Sequence, residues 1–438
     1  MSPFEKPEEV EQCRITPAAT GSSTRRKCLP LTYFDLIFLH FPPVQRIFFY
    51  DLPATKSHVF YAELANLKLS LSLALSRFYP LAGALTFPES GQPPVILCSD
   101  SDSVFLTVSK SSDDFHELSG NHARAAARFR HLVPPLPGAA VLSVQVTLFL
   151  KGGVAIGTTV HHAAADGSAY THFMKTWALI AKQGETAALS VLPAPVFDRE
   201  KLRDIKGLEN VFLKDLEDLK NDGSLAAWDL SGRPNLVRAT FCISPEEIRR
   251  LGRRTTAGCS PYSLACGLVW ASLARARAAT GLKKERFGFV TGCRPRLRPA
   301  LPATYFGNCL GICCVEMERE ELVRGRGAAA GAEAIWKVIM RLEKGAFDGA
   351  EGWVRAVADY SAARSLTVAG SPKLGIYGVD FGWGRPRKVE LVSVEKTGAM
   401  SLAESREADG GIEVGIALPA CEMKKFVDAF VMELGEAE

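Results

Sequence analysis

The chain has 438 residues, 47% of them hydrophobic and 23% charged, a globular composition at a length beyond the roughly 250–300 residues at which a single hydrophobic core stops growing. Two domains of about 200 residues each are therefore expected. Lys and Arg outnumber Asp and Glu only by 52 to 48, which gives no general reason to expect nucleic acid as a partner. No run approaches the roughly 18–20 uninterrupted apolar residues of a spanning helix. The opening MSPFEKPEEVEQCRI lacks the apolar core of a signal peptide, so a cytoplasmic, monomeric protein without a membrane partner is expected.

In chain order, the first strong element is a helix over 58–78, with Leu64, Leu67, Leu71, Leu75 and Phe78 on one face and FYPLAG ending it. From Leu142 the period becomes two (Leu142, Val144, Val146, Leu148, Leu150), then turns at Lys151-Gly152-Gly153 into a second strand, VAIGTTV. That hairpin runs into His161 and His162. Helical spacing resumes with Tyr170, Phe173, Met174 and Trp177, so HHAAADG joins a strand end to a helix start. Residues 192–235 are charged and bracketed by Pro and Gly, and read as a surface crossover between domains.

The second half restarts with the strand LVRATFCI. Ser244-Pro245-Glu246-Glu247 follows, with a cap residue, Pro at the first helical position and Glu in the capping-box position. An apolar helix over 261–278, the strand RFGFVTG, a helix over 334–342, a hairpin at Asp409-Gly410-Gly411 and a final amphipathic helix carrying Met423, Phe426, Val427, Phe430 and Leu434 complete it. Each half is a mixed α/β unit. The expected boundaries are 1–195, a linker over 196–235, and 236–438. The eleven cysteines are scattered, without a C-x-x-C pair, and suit free thiols better than disulfides or zinc.

Chemistry concentrates at His162 and Asp166, spaced H-x-x-x-D. A neutral imidazole near its pKa can take a proton from a hydroxyl that is attacking a carbonyl. Three alanines leave the approach open, and Gly167 lets backbone pass close by. Asp166 either pairs with a basic residue or caps the following helix. Adjacent histidines on extended backbone point to opposite faces, so His161 and His162 make a poor joint metal site. Only one of them can face a substrate, and spacing does not say which.

With Asp380-Phe381-Gly382-Trp383-Gly384 far downstream, His162-Ala163-Ala164-Ala165-Asp166 resembles the paired signatures H-x-x-x-D and D-F-G-W-G of the BAHD acyltransferases. The likeness runs from LTYFDLIFLHFPPVQRIFFYDLP through FYPLAG to VDFGWGRPRKVELVSVEKTGAMSLAESREADGGIEVGIAL. It implies an α/β fold of two chloramphenicol-acetyltransferase-like domains, each a mixed β-sheet with helices, with a substrate channel between them. His162 would be the base, and Asp166 would turn away to hold the loop by pairing with an arginine of CRPRLRP, Arg294 foremost. Asp380 joins them as a candidate catalytic residue, with a tight turn pinned by Trp383 as the alternative. Acyl-CoA is the implied co-substrate, with no metal or prosthetic group, and the partner is a small-molecule acceptor.

Tyr305-Phe306-Gly307-Asn308-Cys309 resembles the YFGNC segment of the branch that acts on anthocyanin and other phenolic glycosides, many with malonyl-CoA. Arg294, Asn308 and Arg385 are candidates for the CoA side, where a guanidinium would suit the CoA phosphates or a malonyl carboxylate, and Thr367 and Ser371 join them by position alone as candidate oxyanion donors. Two departures stand out. Ser168-Ala169 replaces a basic residue and Ser, and Phe38 occupies the Trp position of an FDLLW-like opening. The missing cation keeps hydroxycinnamoyl-CoA as the second donor. A condensation domain of a peptide synthetase shares HHxxxDG but sits in longer chains without DFGWG, and a non-catalytic ligand binder would show a damaged motif.

Overall fold

The computed structural model describes residues 6–19, 27–52, 57–88, 92–202, 204, 206–229, 231, 233, 235–256, 258–277, 281, 283–343, 345 and 347–435, without the side chains of 57–61. Two large sheets organise it. The first has six strands in the order Glu8–Ile15, Val104–Ser111, Leu142–Phe149, Gly153–Val160, Val44–Asp51 and Lys388–Leu391. The second has seven, in the order Leu310–Glu318, Lys284–Gly292, Leu366–Gly370, Met400–Glu404, Ile412–Pro419, Leu236–Ile243 and Arg124–Ala125. The pairing of Val104–Ser111 with Leu142–Phe149 is parallel, as are both pairings of Leu366–Gly370, and the remaining ones in these sheets are antiparallel.

The alternating segment forms the hairpin Leu142–Phe149 and Gly153–Val160, in register from Leu142↔Val160 to Phe149↔Gly153. Both strands are buried along their whole length. Burial on both faces places the hairpin in the middle of its sheet, so the alternation marks two different cores. One face meets the helices Ser57–Arg77 and Gly167–Gln183, with Trp177 fully buried between them and hydrogen-bonded through its Nε1 to the Leu67 carbonyl at 3.2 Å.

The helix expected over 334–342 begins earlier, at Gly327, because the Ala-rich turn before it packs on the apolar helix Pro261–Ala276. The close fit needs Gly267, where a Cβ would meet the Ala328 carbonyl oxygen at 2.4 Å. The expected end of the apolar helix at Ala278 lies outside the described residues.

The crossover is not simply a surface strap. It contains the helix Leu208–Asn221, which buries Leu208, Phe212, Leu216 and Leu219, and the turn Ser224–Trp228, which buries Trp228. Its charged residues include an outer face that hid this apolar stripe from a reading by composition.

Each half also lends a strand to the other half's sheet: Lys388–Leu391 pairs with Val44–Asp51, and Arg124–Ala125 pairs with Leu236–Ile243. Neither exchange has a sequence signal, since the strands are only four and two residues long. Buried charge fixes them in place. Glu390 accepts from Arg124 Nη2 at 2.9 Å and from Arg238 Nε at 3.2 Å, and all three residues are almost inaccessible. Burial alone would raise the Glu390 pKa, but Arg238 and Arg124 outweigh it and bring it down to about 2. Next to them Lys388 Nζ meets Glu413 at 3.0 Å, and the Tyr377 hydroxyl donates to the same carboxylate at 2.7 Å.

Candidate active site

The strand Gly153–Val160 ends at His161, a single 3₁₀ turn spans His162–Ala164, and Asp166 caps the helix Gly167–Gln183. The sequence makes this junction locally. Asp166 is extended (φ −81°, ψ 178°), as a cap must be, and its Oδ1 accepts from the backbone N–H groups of Ser168 and Ala169 at 3.1 and 3.0 Å. Gly167 leaves room for Leu374, whose side chain would lie 3.0 Å from an added Cβ.

The two histidines differ in role. His161 Nδ1 accepts from the Ala163 N–H at 3.2 Å and closes the turn. Burial, helped by His162 and His40, pushes its pKa down to about 4. The His162 ring lies flat against Phe38, with centroids 4.1 Å apart and planes 7° from parallel, and Phe41 meets it edge-on at 6.0 Å. Its Nδ1 is buried without a hydrogen-bond partner among the described residues, although His162 as a whole is only half-buried. Burial lowers its pKa, against smaller raising effects that include Asp166 and Asp35. His162 is thus a neutral imidazole at pH 7, able to accept a proton.

Asp166 is not directed at a substrate. Besides the two cap bonds it receives Arg294 Nη1 at 2.6 Å, Arg294 Nη2 at 3.0 Å and the Cys309 N–H at 3.1 Å, and it is 1% exposed. The two alternatives open in the sequence are both realised, since one carboxylate caps the helix and pairs with arginine. Arg294 Nη2 also donates to the carbonyls of Tyr305 and Gly307. Burial works against the Arg294 charge, Asp166 more than offsets it, and the pKa ends above the ordinary value.

Asn308 joins this support. Its Nδ2 donates to the His162 carbonyl at 2.9 Å and to Asp35 Oδ1 at 3.0 Å, and its own N–H donates to the same Asp35 oxygen at 2.8 Å. Asp35 is completely buried and missing from the sequence-derived set. Its other oxygen accepts from the N–H and hydroxyl of Thr32, so Thr32-Tyr33-Phe34-Asp35 is a capping box ahead of an apolar run. That pattern was the available signal.

The expected residues therefore divide. His162, Asp166, Arg294 and Asn308 meet at one junction, where the hydrogen bonds of Arg294 and Asn308 hold the loop. Asp380 does not join them. It receives Lys182 Nζ at 2.6 Å and the N–H groups of Gly382 and Gly384 at 2.8 Å. Lys182 lies at the far end of the helix that Asp166 caps, sixteen residues and about 24 Å along its axis. Asp380 pins a tight turn in which Gly382 and Gly384 take φ of +101° and +89°. Arg385 follows on the exposed side of the same turn. Thr367 lies in the strand Leu366–Gly370, and the Ser371 hydroxyl accepts from the Lys373 N–H at 3.2 Å. The turn Pro372–Leu374 packs on the helix that Asp166 caps, with Leu374 against Gly167.

Among the described residues no group of three His, Cys, Asp or Glu is placed to hold a metal ion, and no helix is long and apolar enough to cross a membrane.

Residues 8–432 match the family model described as Transferase family. Phenolic glucoside malonyltransferase 2 of Arabidopsis thaliana is 34% identical, the match covering 96% of this chain and 98% of that protein. Malonyl-coenzyme A:anthocyanin 3-O-glucoside-6''-O-malonyltransferase of Dahlia pinnata is 33% identical over 96% of each chain. Agmatine coumaroyltransferase of Arabidopsis thaliana is also 33% identical, over 97% of this chain and 99% of its own length. Among solved structures, vinorine synthase superposes with a TM-score of 0.73 at 22% identity, covering 95% of this chain and 96% of the other, which establishes a shared fold.

Proposed function

The chain belongs to the BAHD acyltransferase family and is an acyl-CoA-dependent acyltransferase, and from that premise we propose that it transfers a malonyl group from malonyl-CoA to a sugar hydroxyl of a phenolic glycoside, with His162 as general base. The observation that carries the reading is the neutral His162 imidazole, stacked on Phe38 at the end of a loop whose aspartate is wholly occupied in support. The malonyl donor and the glycoside acceptor rest on the two malonyltransferases among the relatives. We also propose the domain limits 1–195 and 236–438, joined by 196–235.

In the reaction, His162 accepts the proton of the sugar hydroxyl as its oxygen bonds to the thioester carbonyl carbon. The tetrahedral intermediate then collapses, the carbon–sulfur bond breaks, and the imidazolium returns the proton to the departing CoA sulfur. No covalent enzyme intermediate is required. Burial lowers the pKa of His162, so the base stays unprotonated over more of the acid range at the expense of some basicity.

A second reading has its own observation. Arg294 is tied to Asp166, and Ser168-Ala169 stands where a cation was expected. The junction therefore offers little to a malonyl carboxylate, which favours a hydroxycinnamoyl donor with an amine acceptor, as in the coumaroyltransferase relative.

A thiol-release assay with malonyl-, acetyl- and p-coumaroyl-CoA, crossed with phenolic glucosides and amines, separates the two. Malonyl-CoA with a glucoside should release CoA, and His162→Ala should abolish the release. Release only with p-coumaroyl-CoA and an amine would replace the first reading by the second.

A further inference from the structure

Beside His162 stands an aromatic wall that extends beyond Phe38, the ring stacked on the base. Phe38 closes one face of the imidazole, and Phe41 meets its edge at 6.0 Å while remaining only half-buried itself. Trp228 meets Phe41 edge-on at 4.9 Å and is 3% exposed. Its indole Nε1 is buried and has no hydrogen-bond partner among the described residues. The residue comes from the turn Ser224–Trp228 of the crossover, which is entered through Gly223 at φ +78° and packs on the helices Leu208–Asn221 and Trp353–Ala362. A buried Trp N–H normally finds an acceptor. One held without a partner, in an aromatic corner next to the base, is a donor awaiting a ligand.

We propose that Phe41 and Trp228 form an acceptor subsite that packs against a flat phenolic ring and hydrogen-bonds one of its oxygens through the Trp228 N–H; the inference rests on the phenolic glycoside reading above. The chemistry selects that class. An indole N–H only donates, so its partner carries an acceptor oxygen, as a phenol, an aryl ether or a flavonoid carbonyl does. The flanking rings favour an aromatic aglycone over an aliphatic one. The distances agree: centroid steps of 6.0 and 4.9 Å lead from the His162 ring through Phe41 to Trp228, a reach of the order of one sugar ring between the base and the wall.

The test is steady-state kinetics on the full chain with malonyl-CoA and two probes, 4-nitrophenyl β-glucoside and methyl β-glucoside. Trp228→Phe keeps the ring and deletes the N–H. It should raise KM for the aryl glucoside about three- to tenfold, the loss of one hydrogen bond, while KM for malonyl-CoA and for methyl glucoside move less than about twofold on the same scale. Its Tm should stay level or rise, because an unpaired buried donor has been removed from the free enzyme. Phe41→Leu, which removes a ring without touching the N–H, should also lower the preference for the aryl probe, and it decides the matter if Trp228→Phe does not fold. Wild-type turnover of the aryl glucoside with KM unchanged in both variants overturns the subsite and leaves the acyl-transfer reading standing. Absence of wild-type turnover with either glucoside, together with turnover of an amine, overturns both.

Discussion

Replacing Asp166 by Asn changes almost no volume and should still be severe. The carboxylate accepts five hydrogen bonds, three on Oδ1 from Ser168, Ala169 and Arg294 Nη2, and two on Oδ2 from Arg294 Nη1 and Cys309. Asn has one oxygen and one NH2 group, and each original oxygen faces an Arg294 nitrogen, so either orientation sets a donor against the guanidinium. The milder one places the NH2 where Oδ2 lies and keeps both cap bonds. Arg294, 7% exposed, is then left as a buried cation without its counter-charge, a loss of about 3–5 kcal/mol. With a urea m-value of about 2–3 kcal/mol/M, the unfolding midpoint should fall by about 1–2.5 M. Tryptophan fluorescence in urea measures it, and kcat should fall in parallel because the same junction carries His162. Adding Arg294→Gln to the variant removes the stranded charge and should recover part of the loss. An unchanged midpoint for Asp166→Asn would refute the view that Asp166 holds the loop through Arg294.

Three further outcomes can be measured. Because burial depresses the His162 pKa, the acid limb of kcat/KM should lie below the ordinary histidine value of 6.5; Phe38→Leu admits water to the ring, moves the limb up toward 6.5 and lowers kcat, whereas a limb that stays in place would mean the stack does not shield the base. Glu390→Gln leaves Arg124 and Arg238 facing each other in the interior and should cost about 3–5 kcal/mol in thermal or urea unfolding. The carboxylate's folded pKa of about 2 is below its ordinary 4.5, so its contribution is complete above about pH 4.5, is lost as pH falls toward 2, and an acid titration of stability checks that window. Asp380→Asn keeps an oxygen for Gly382 and Gly384 and loses only a partly exposed pair with Lys182, so stability should change by less than about 1 kcal/mol and kcat by less than about twofold; a hundredfold fall in kcat with the fold intact would restore Asp380 to the chemistry.

What the sequence determined by itself is local. Periodicity placed the hairpin before His161 and the helix after Asp166, because alternation and helical spacing are fixed by backbone geometry within a few residues. The H-x-x-x-D spacing set the turn, the cap and the glycine behind it for the same reason. Tertiary structure decided the rest. The loop's spacing does not by itself say which of His161 and His162 faces a substrate. The difference comes from Phe38 and Phe41, more than a hundred residues earlier, and from Asn308, 146 residues later. Asp35 sits locally at the third helical position of a capping box with Thr32, and its grip on Asn308 spans 273 residues. Asp380 and His162 carry equally distinctive motifs, and only the folded chain shows that the 17-residue helix Gly167–Gln183 lies between them, with Asp166 capping one end and Lys182, the partner of Asp380, near the other. The exchanged strands had no pattern to read, being too short to show a period, and what holds them is a charge cluster assembled from Arg124, Arg238 and Glu390 only after the chain has folded.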